Sequence, residues 1–144
     1  MVLPPYGFTS IIPAVSWTVL FHDEFDSEFQ TLAKGLQDEL LAHALLLSQF
    51  GPSLGRPTVD TLKGSKHANM KELRFGWQGD VWRVAFAFDP NRQAMLLVAD
   101  DKSGADQKRF YKRLIGRADA RFDTHLASLA TAAARKEKRH AKKS

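Results

Sequence analysis

The sequence predicts an α+β domain: a small, mostly antiparallel β-sheet, an N-terminal helical hairpin packed on one of its faces, and a C-terminal helix. Three observations carry this. Residues 70–102 read MKELRFGWQGDVWRVAFAFDPNRQAMLLVADDK, in which the apolar runs Met70–Phe75, Val81–Asp89 and Gln93–Ala99 are separated by the turn-like GWQGD and DPNR. Alternating β-branched and aromatic residues between Gly, Pro, Asn and Asp signals indicate strands joined as hairpins. Upstream, Phe25, Phe29 and Leu32 fall at i, i+4 and i+7 ahead of the apolar stretch Leu36–Phe50, the spacing of two packed helices. Downstream, Phe110, Leu114, Ala118, Phe122 and Leu126 recur every four residues.

At 144 residues the chain is expected to form one domain, over residues 16–130. That length can bury about 70% of the unfolded surface. Pro4, Pro5 and Pro13 break residues 1–15 into a loose, flexible extension. The opening MVLPPYGFTS lacks a basic n-region and is not read as a signal peptide. No apolar run reaches the ~18 residues of a membrane span, so no membrane partner is expected. The absence of cysteine excludes a disulfide framework or thiolate zinc site and fits a cytoplasmic location.

In order, Ser16–Phe21 reads as a short strand. Asp23 is placed to cap the first helix, with Glu24, Asp26 and Glu28 in the turns where the helix dipole favours acids. Gly35 is expected to separate the two helices, and Gly51-Pro52 to end the second. Gly, Pro, Ser and Asn are scattered through Ser53–Asn69, which reads as a loop carrying Arg56, Lys63, Lys66 and His67 beside the sheet. Asp100–Gly104 turns the chain into the last helix, and the basic AAARKEKRHAKKS from residue 132 reads as a disordered tail over 131–144.

Strand alternation sorts the side chains. Trp82, Val84, Phe86 and Phe88 point to a core face together with Leu73 and Phe75. Val81, Arg83, Ala85 and Ala87 point the other way with Met70, Glu72 and Arg74, a face read as open. Lys71 shares the parity of Leu73. The net charge of +5 is uneven: residues 1–53 total −5, residues 54–121 total +6, and the tail 135–144 totals +5. A basic sheet and helix beneath an acidic helical half suit a polyanion partner.

No Walker loop, Rossmann glycine pattern, HExxH or nucleophile elbow is present. What remains is a set of cations with a His and two Asp near strand ends, which suits phosphodiester cleavage without a metal. Arg binds phosphate bidentately and stabilises transition-state charge. A His, Asp or Lys of suitable pKa moves the proton. The plain alternative for Arg83 is a surface pair with Glu72 or Asp80, worth about 0.2–1 kcal/mol.

The run LKGSKHANMKELRF, then VWRVAFAFDPNRQAMLLVADDKSG and RFYKRLIGRADARFDTHL, resembles the RelE/ParE superfamily of toxin–antitoxin toxins, in its HigB-like, phage-derived branch. The resemblance covers Trp17 to Leu126. It implies a RelE-like fold and a ribosome-dependent mRNA interferase, in which the ribose 2′-hydroxyl attacks the adjacent phosphate with no metal or other cofactor. It also implies a cognate helix-turn-helix antitoxin, and the ribosome and mRNA as partners. Carried over by position, Arg83 matches a phosphate-binding catalytic arginine of the second sheet strand, Arg74 matches the arginine of the E-L-R-like strand and is expected to bind the same phosphate, and Lys102 matches a basic residue after the last strand. His67 and Asp101 parallel proton-transfer residues. Lys71, Lys66, Lys63, Trp77, Lys108 and Tyr111 are the candidate RNA contacts, Tyr111 matching a C-terminal tyrosine of the family. Lys71 and Glu72 stand where RelE itself has two lysines. Two alternatives keep the fold: a ParE-like inhibitor of DNA gyrase, and a non-catalytic nucleic-acid-binding protein of phage origin.

Overall fold

The structure is a computed structural model that describes residues 16–143 apart from Ser103 and Ala105; the expected extension at residues 1–15 lies outside the described residues. Strand β1 (Thr18–Phe21) leads into helices α1 (Asp23–Gln30) and α2 (Lys34–Phe50). Strands β2 (Val59–Thr61), β3 (Met70–Trp77), β4 (Asp80–Phe88) and β5 (Gln93–Asp101) follow, and helix α3 (Gln107–Lys143) ends the chain. The sheet order is β1-β5-β4-β3-β2. β1 runs parallel to β5 and every other pairing is antiparallel. The α+β class, the mostly antiparallel sheet and the helical hairpin are as the sequence predicts.

Several local expectations change. The cap of α1 is His22, whose Nδ1 accepts the Glu24 N–H at 3.2 Å; Asp23 is already helical. Gly35 lies inside α2, and the chain breaks at Thr31–Ala33. A side chain at Gly35 would meet the Trp77 indole at 3.3 Å, so glycine serves a close approach here. The expected loop 53–69 contains β2, which extends the sheet by pairing Val59 with Leu73. α3 runs unbroken past Gly116 to Lys143, where composition alone suggested a disordered tail.

The largest difference concerns the face read as open. α1 and α2 cover one side of the sheet, where Phe25, Phe29, Leu36, Leu40 and Leu47 pack on Leu73, Val84, Phe86 and Leu96. α3 covers the other, placing Phe110, Leu114, Ala118 and Phe122 on Met70, Ala85, Ala87, Met95 and Leu97. Each large apolar side chain so buried contributes about 1.5–3 kcal/mol, against a few tenths for a solvated cross-strand pair. Ala85 and Ala87 are small because a helix lies on them. Both sheet arginines lie at the end of this face near the start of α3. Among the described residues no helix is long and apolar enough to cross a membrane.

β5 carries a bulge: Ala85 pairs with Val98 and Phe86 with Leu96, which leaves Leu97 unmatched. The Leu97 carbonyl accepts instead from Arg121 Nη1 at 2.7 Å. Arg121 is 8% exposed. It also binds Glu28 through two bonds of 2.8 and 2.6 Å and Glu24 at 3.0 Å, tying α3 to α1 and to the sheet.

A candidate phosphodiester-binding site at the start of the last helix

β3 and β4 place Arg74 and Arg83 directly opposite each other on one face. Two cations at such a pair repel unless acids intervene. Glu72 shares this face two residues before Arg74, and Asp100 on β5 is in register with Arg83. Tyr111, one turn into α3, closes the cluster from above. Arg83 Nε donates to the Tyr111 hydroxyl at 2.7 Å, and that hydroxyl donates to Glu72 Oε1 at 3.2 Å. The Arg83 guanidinium also stands 5.6 Å from the Phe110 ring centre and 5.7 Å from that of Tyr111. Arg74 Nε lies 3.5 Å from Glu72 Oε1, and its Nη2 lies 3.8 Å from Asp60 Oδ2. Arg56 holds the same Asp60 oxygen at 3.2 Å.

Glu72 is 4% exposed, and its Oε2 is buried with no hydrogen-bond partner. Burial pushes its carboxyl above the ordinary glutamate range, against the opposing pull of Tyr111, Arg74 and Arg83. Burial, and then the charge of Glu72, push the Tyr111 hydroxyl up as well. Asp60 is held below the usual range, chiefly by the Thr61 N–H and then by Arg56.

Beside the cluster lies a groove of about 980 Å³ between the β2–β3 loop and α3. Lys63 and Gly64 form one wall; Lys108, Tyr111, Lys112 and Ile115 are on the other, together with the acids Asp106 and Asp119. Gly64 adopts φ +100°, which favours glycine at this turn. Lys63, Lys108 and Lys112 are exposed, so their ammonium groups are open to an anion. Tyr111 belongs to both the groove and the arginine cluster.

The sequence-predicted residues divide accordingly. Arg74, Arg83, Tyr111, Lys63 and Lys108 come together. Lys102 sits at the foot of α3, its Nζ donating to Gln107 Oε1 at 3.1 Å. Asp101 pairs with Trp82 and so lies on the other side of the sheet from Arg83. Lys71 is opposite Phe86 and also faces that side, as does Trp77 against Gly35. His67 binds Asp123 Oδ1 at 2.8 Å and meets the Phe122 ring edge-on; Lys66 pairs with the same carboxylate. Asp123 is twelve residues beyond Tyr111, about 18 Å along the helix. His67 and Lys66 thus clasp the loop to α3, away from the arginines. The surface pair weighed for Arg83 with Glu72 is present only through Tyr111. Glu72, Arg56, Asp60, Asp100 and Lys112 are among the members that sequence reading did not select. The available signal was the shared parity of Glu72 and Arg74.

Residues 27–123 match the family described as phage-derived protein Gp49-like. The chain belongs to this family. The Gp49-like segment holds every residue of the arginine cluster and its groove, and the resemblance to the phage-derived, HigB-like branch is borne out. Two Mycobacterium tuberculosis proteins are similar. One, named "Putative toxin HigB2", is 46% identical over 95 residues, 65% of this chain and 47% of that protein. The other, named "Putative toxin HigB3", is 51% identical over 83 residues, 58% of this chain and 70% of that protein. The chain therefore spans about half the length of the first relative. No solved structure matches it significantly.

Proposed function

We propose that this Gp49-like chain is the toxin of a toxin–antitoxin module, a ribosome-dependent and metal-independent mRNA endoribonuclease that inhibits translation in the cytoplasm. The observation that carries the reading is the opposed pair Arg74 and Arg83, held with Tyr111 over a buried carboxyl beside a groove lined by Lys63, Lys108 and Lys112. The toxin names of the two mycobacterial relatives support it. Arg83 and Arg74 bind the scissile phosphate and offset the charge that grows on its oxygens in the transition state. Lys102 adds charge at the foot of the helix. Lys63 and Lys108 hold the flanking backbone, where phosphate contacts give salt-dependent affinity without sequence preference. The partner is an antitoxin that covers the rim of the arginine cluster or docks on the acidic helices α1 and α2.

Induced expression in a bacterial host, wild type beside Arg83→Ala, tests this. The expected result is growth arrest with new, codon-phased 5′-hydroxyl mRNA ends, both lost on substitution. Arrest without new ends, accompanied by a DNA-damage response, would replace the reading with gyrase inhibition. Normal growth at full protein levels would leave a binding protein.

A further inference from the structure

We propose that Glu72 is the proton acceptor of the cleavage step, its free Oε2 oxygen taking the proton of the attacking 2′-hydroxyl. The inference rests on the interferase reading above and adds a residue to it. A carboxylate that serves packing alone has its oxygens paired, because a buried acceptor without a partner costs about 1–3 kcal/mol. Glu72 leaves Oε2 buried and unpaired. Its Oε1 is oriented from α3 by the Tyr111 hydroxyl at 3.2 Å. The contact to Arg74 is loose, at 3.5 Å, where a charge-assisted bond closes to about 2.7–2.9 Å. An incoming phosphodiester competes for Arg74 and Arg83, draws both guanidinium groups outward, and uncovers the carboxyl beside the same phosphate.

The other groups of the cluster are poorer acceptors. Arginine does not deprotonate in proteins. Tyr111 keeps its proton, since burial and Glu72 raise its pKa. Asp60 is a weaker base because the Thr61 N–H and Arg56 favour its ionised form. Glu72 is a stronger base than an ordinary glutamate because burial disfavours its charge. The charged and titratable groups around it are Arg74 on its own strand, Arg83 on β4, Asp100 on β5, Asp60 on β2 and Tyr111 on α3.

In the step, the O2′–P bond forms as the 2′-hydroxyl proton passes to Oε2. The P–O5′ bond breaks with its electron pair going to O5′, which takes a proton from water. The products are a 2′,3′-cyclic phosphate and a 5′-hydroxyl, and Glu72 then returns its proton to solvent.

The test is single-turnover cleavage of mRNA on programmed ribosomes by the full chain across pH, for wild type and Glu72→Gln, with ribosome affinity and circular dichroism measured in parallel. The wild-type rate is expected to fall on the acid side as Glu72 protonates. Glu72→Gln is expected to lose about 100-fold or more and that acid limb, with affinity and fold unchanged. Wild-type cleavage without an acid limb overturns the proposal whether or not the variant folds. So does a Gln variant that cleaves at the wild-type rate, or one whose loss is matched by lost affinity. If wild type makes no cut on ribosomes, the interferase reading fails and this inference fails with it; if only the Glu72 results go wrong, the interferase reading stands.

Discussion

Arg121 on α3 and Arg83 on β4 each lie between the last helix and the sheet and each lead to a glutamate, but their surroundings differ. Around Arg121 the bonds are 2.6 and 2.8 Å to Glu28, 2.7 Å to the bulged Leu97 carbonyl and 3.0 Å to Glu24. Glu28 is accordingly held below the usual range, first by its hydrogen bonds to Arg121. Around Arg83 the chain of contacts passes through a tyrosine, one arginine stands off at 3.5 Å, and a buried oxygen has no partner. Burial there outweighs pairing, and Glu72 moves the opposite way. A satisfied network fixes one arrangement of helix on sheet; an unsatisfied one has capacity for a ligand.

The contrast can be broken by mutation, beginning with the largest effect. Arg83→Ala should reduce cleavage by about 100–1,000-fold, the range seen when a transition-state donor is removed. The same change should alter stability by only about 0.5–1.5 kcal/mol, one net hydrogen bond, measured by urea denaturation. Arg121→Met should do the reverse, costing about 2–3 kcal/mol through lost charged hydrogen bonds while the folded fraction cleaves normally. Equal activity losses in the two variants would erase the distinction.

Acid should separate the clusters further. Because the folded-state pKa of Glu28 is depressed, its stabilisation is present above the unfolded glutamate pKa and is lost as pH falls through the folded value. Wild type should therefore lose melting temperature on acidification below about pH 4.5, and Arg121→Met should lose less. Glu72 has the opposite sign. Its raised folded pKa means no penalty below the unfolded value and a full penalty above the folded one. Glu72→Gln should thus melt slightly higher at neutral pH, by about 1 kcal/mol, and show no such gain near pH 3. Smallest is the groove: Lys63→Ala or Lys108→Ala should each reduce the salt slope of RNA binding by about one, read from affinities over a range of salt concentrations.

Local periodicity made much of this legible. The hairpins of β3, β4 and β5, the stripes of α1 and α3, and the shared face of Arg74 and Arg83 all follow from spacings of two or about four residues. What failed depended on distant partners. β2 is three residues long and exists by pairing with β3. Parallel pairing of β1 with β5 leaves no mark in either segment. The role of His67 turns on Asp123, 56 positions away, and that of Glu72 on Tyr111, 39 positions away. Small residues at Ala85 and Ala87 were read as exposure, whereas they mark the close approach of a helix.

The length of α3 has an electrical consequence. A helix from Gln107 to Lys143 measures about 56 Å at 1.5 Å per residue, and its last stretch, residues 135–143, carries a net +5, while α1 and α2 together carry −5. Glu24 and Glu28 of α1 are bonded to Arg121, 14 residues or about 21 Å along the helix before the basic stretch, and this separation of opposite charge gives the molecule a dipole moment. In the field of a polyanion such a molecule experiences a torque as well as an attraction, so it turns before it lands and presents its basic end first. Salt at 0.1 M would screen that alignment beyond about 10 Å, making the orientation of first encounter, and not only its strength, depend on the ionic medium.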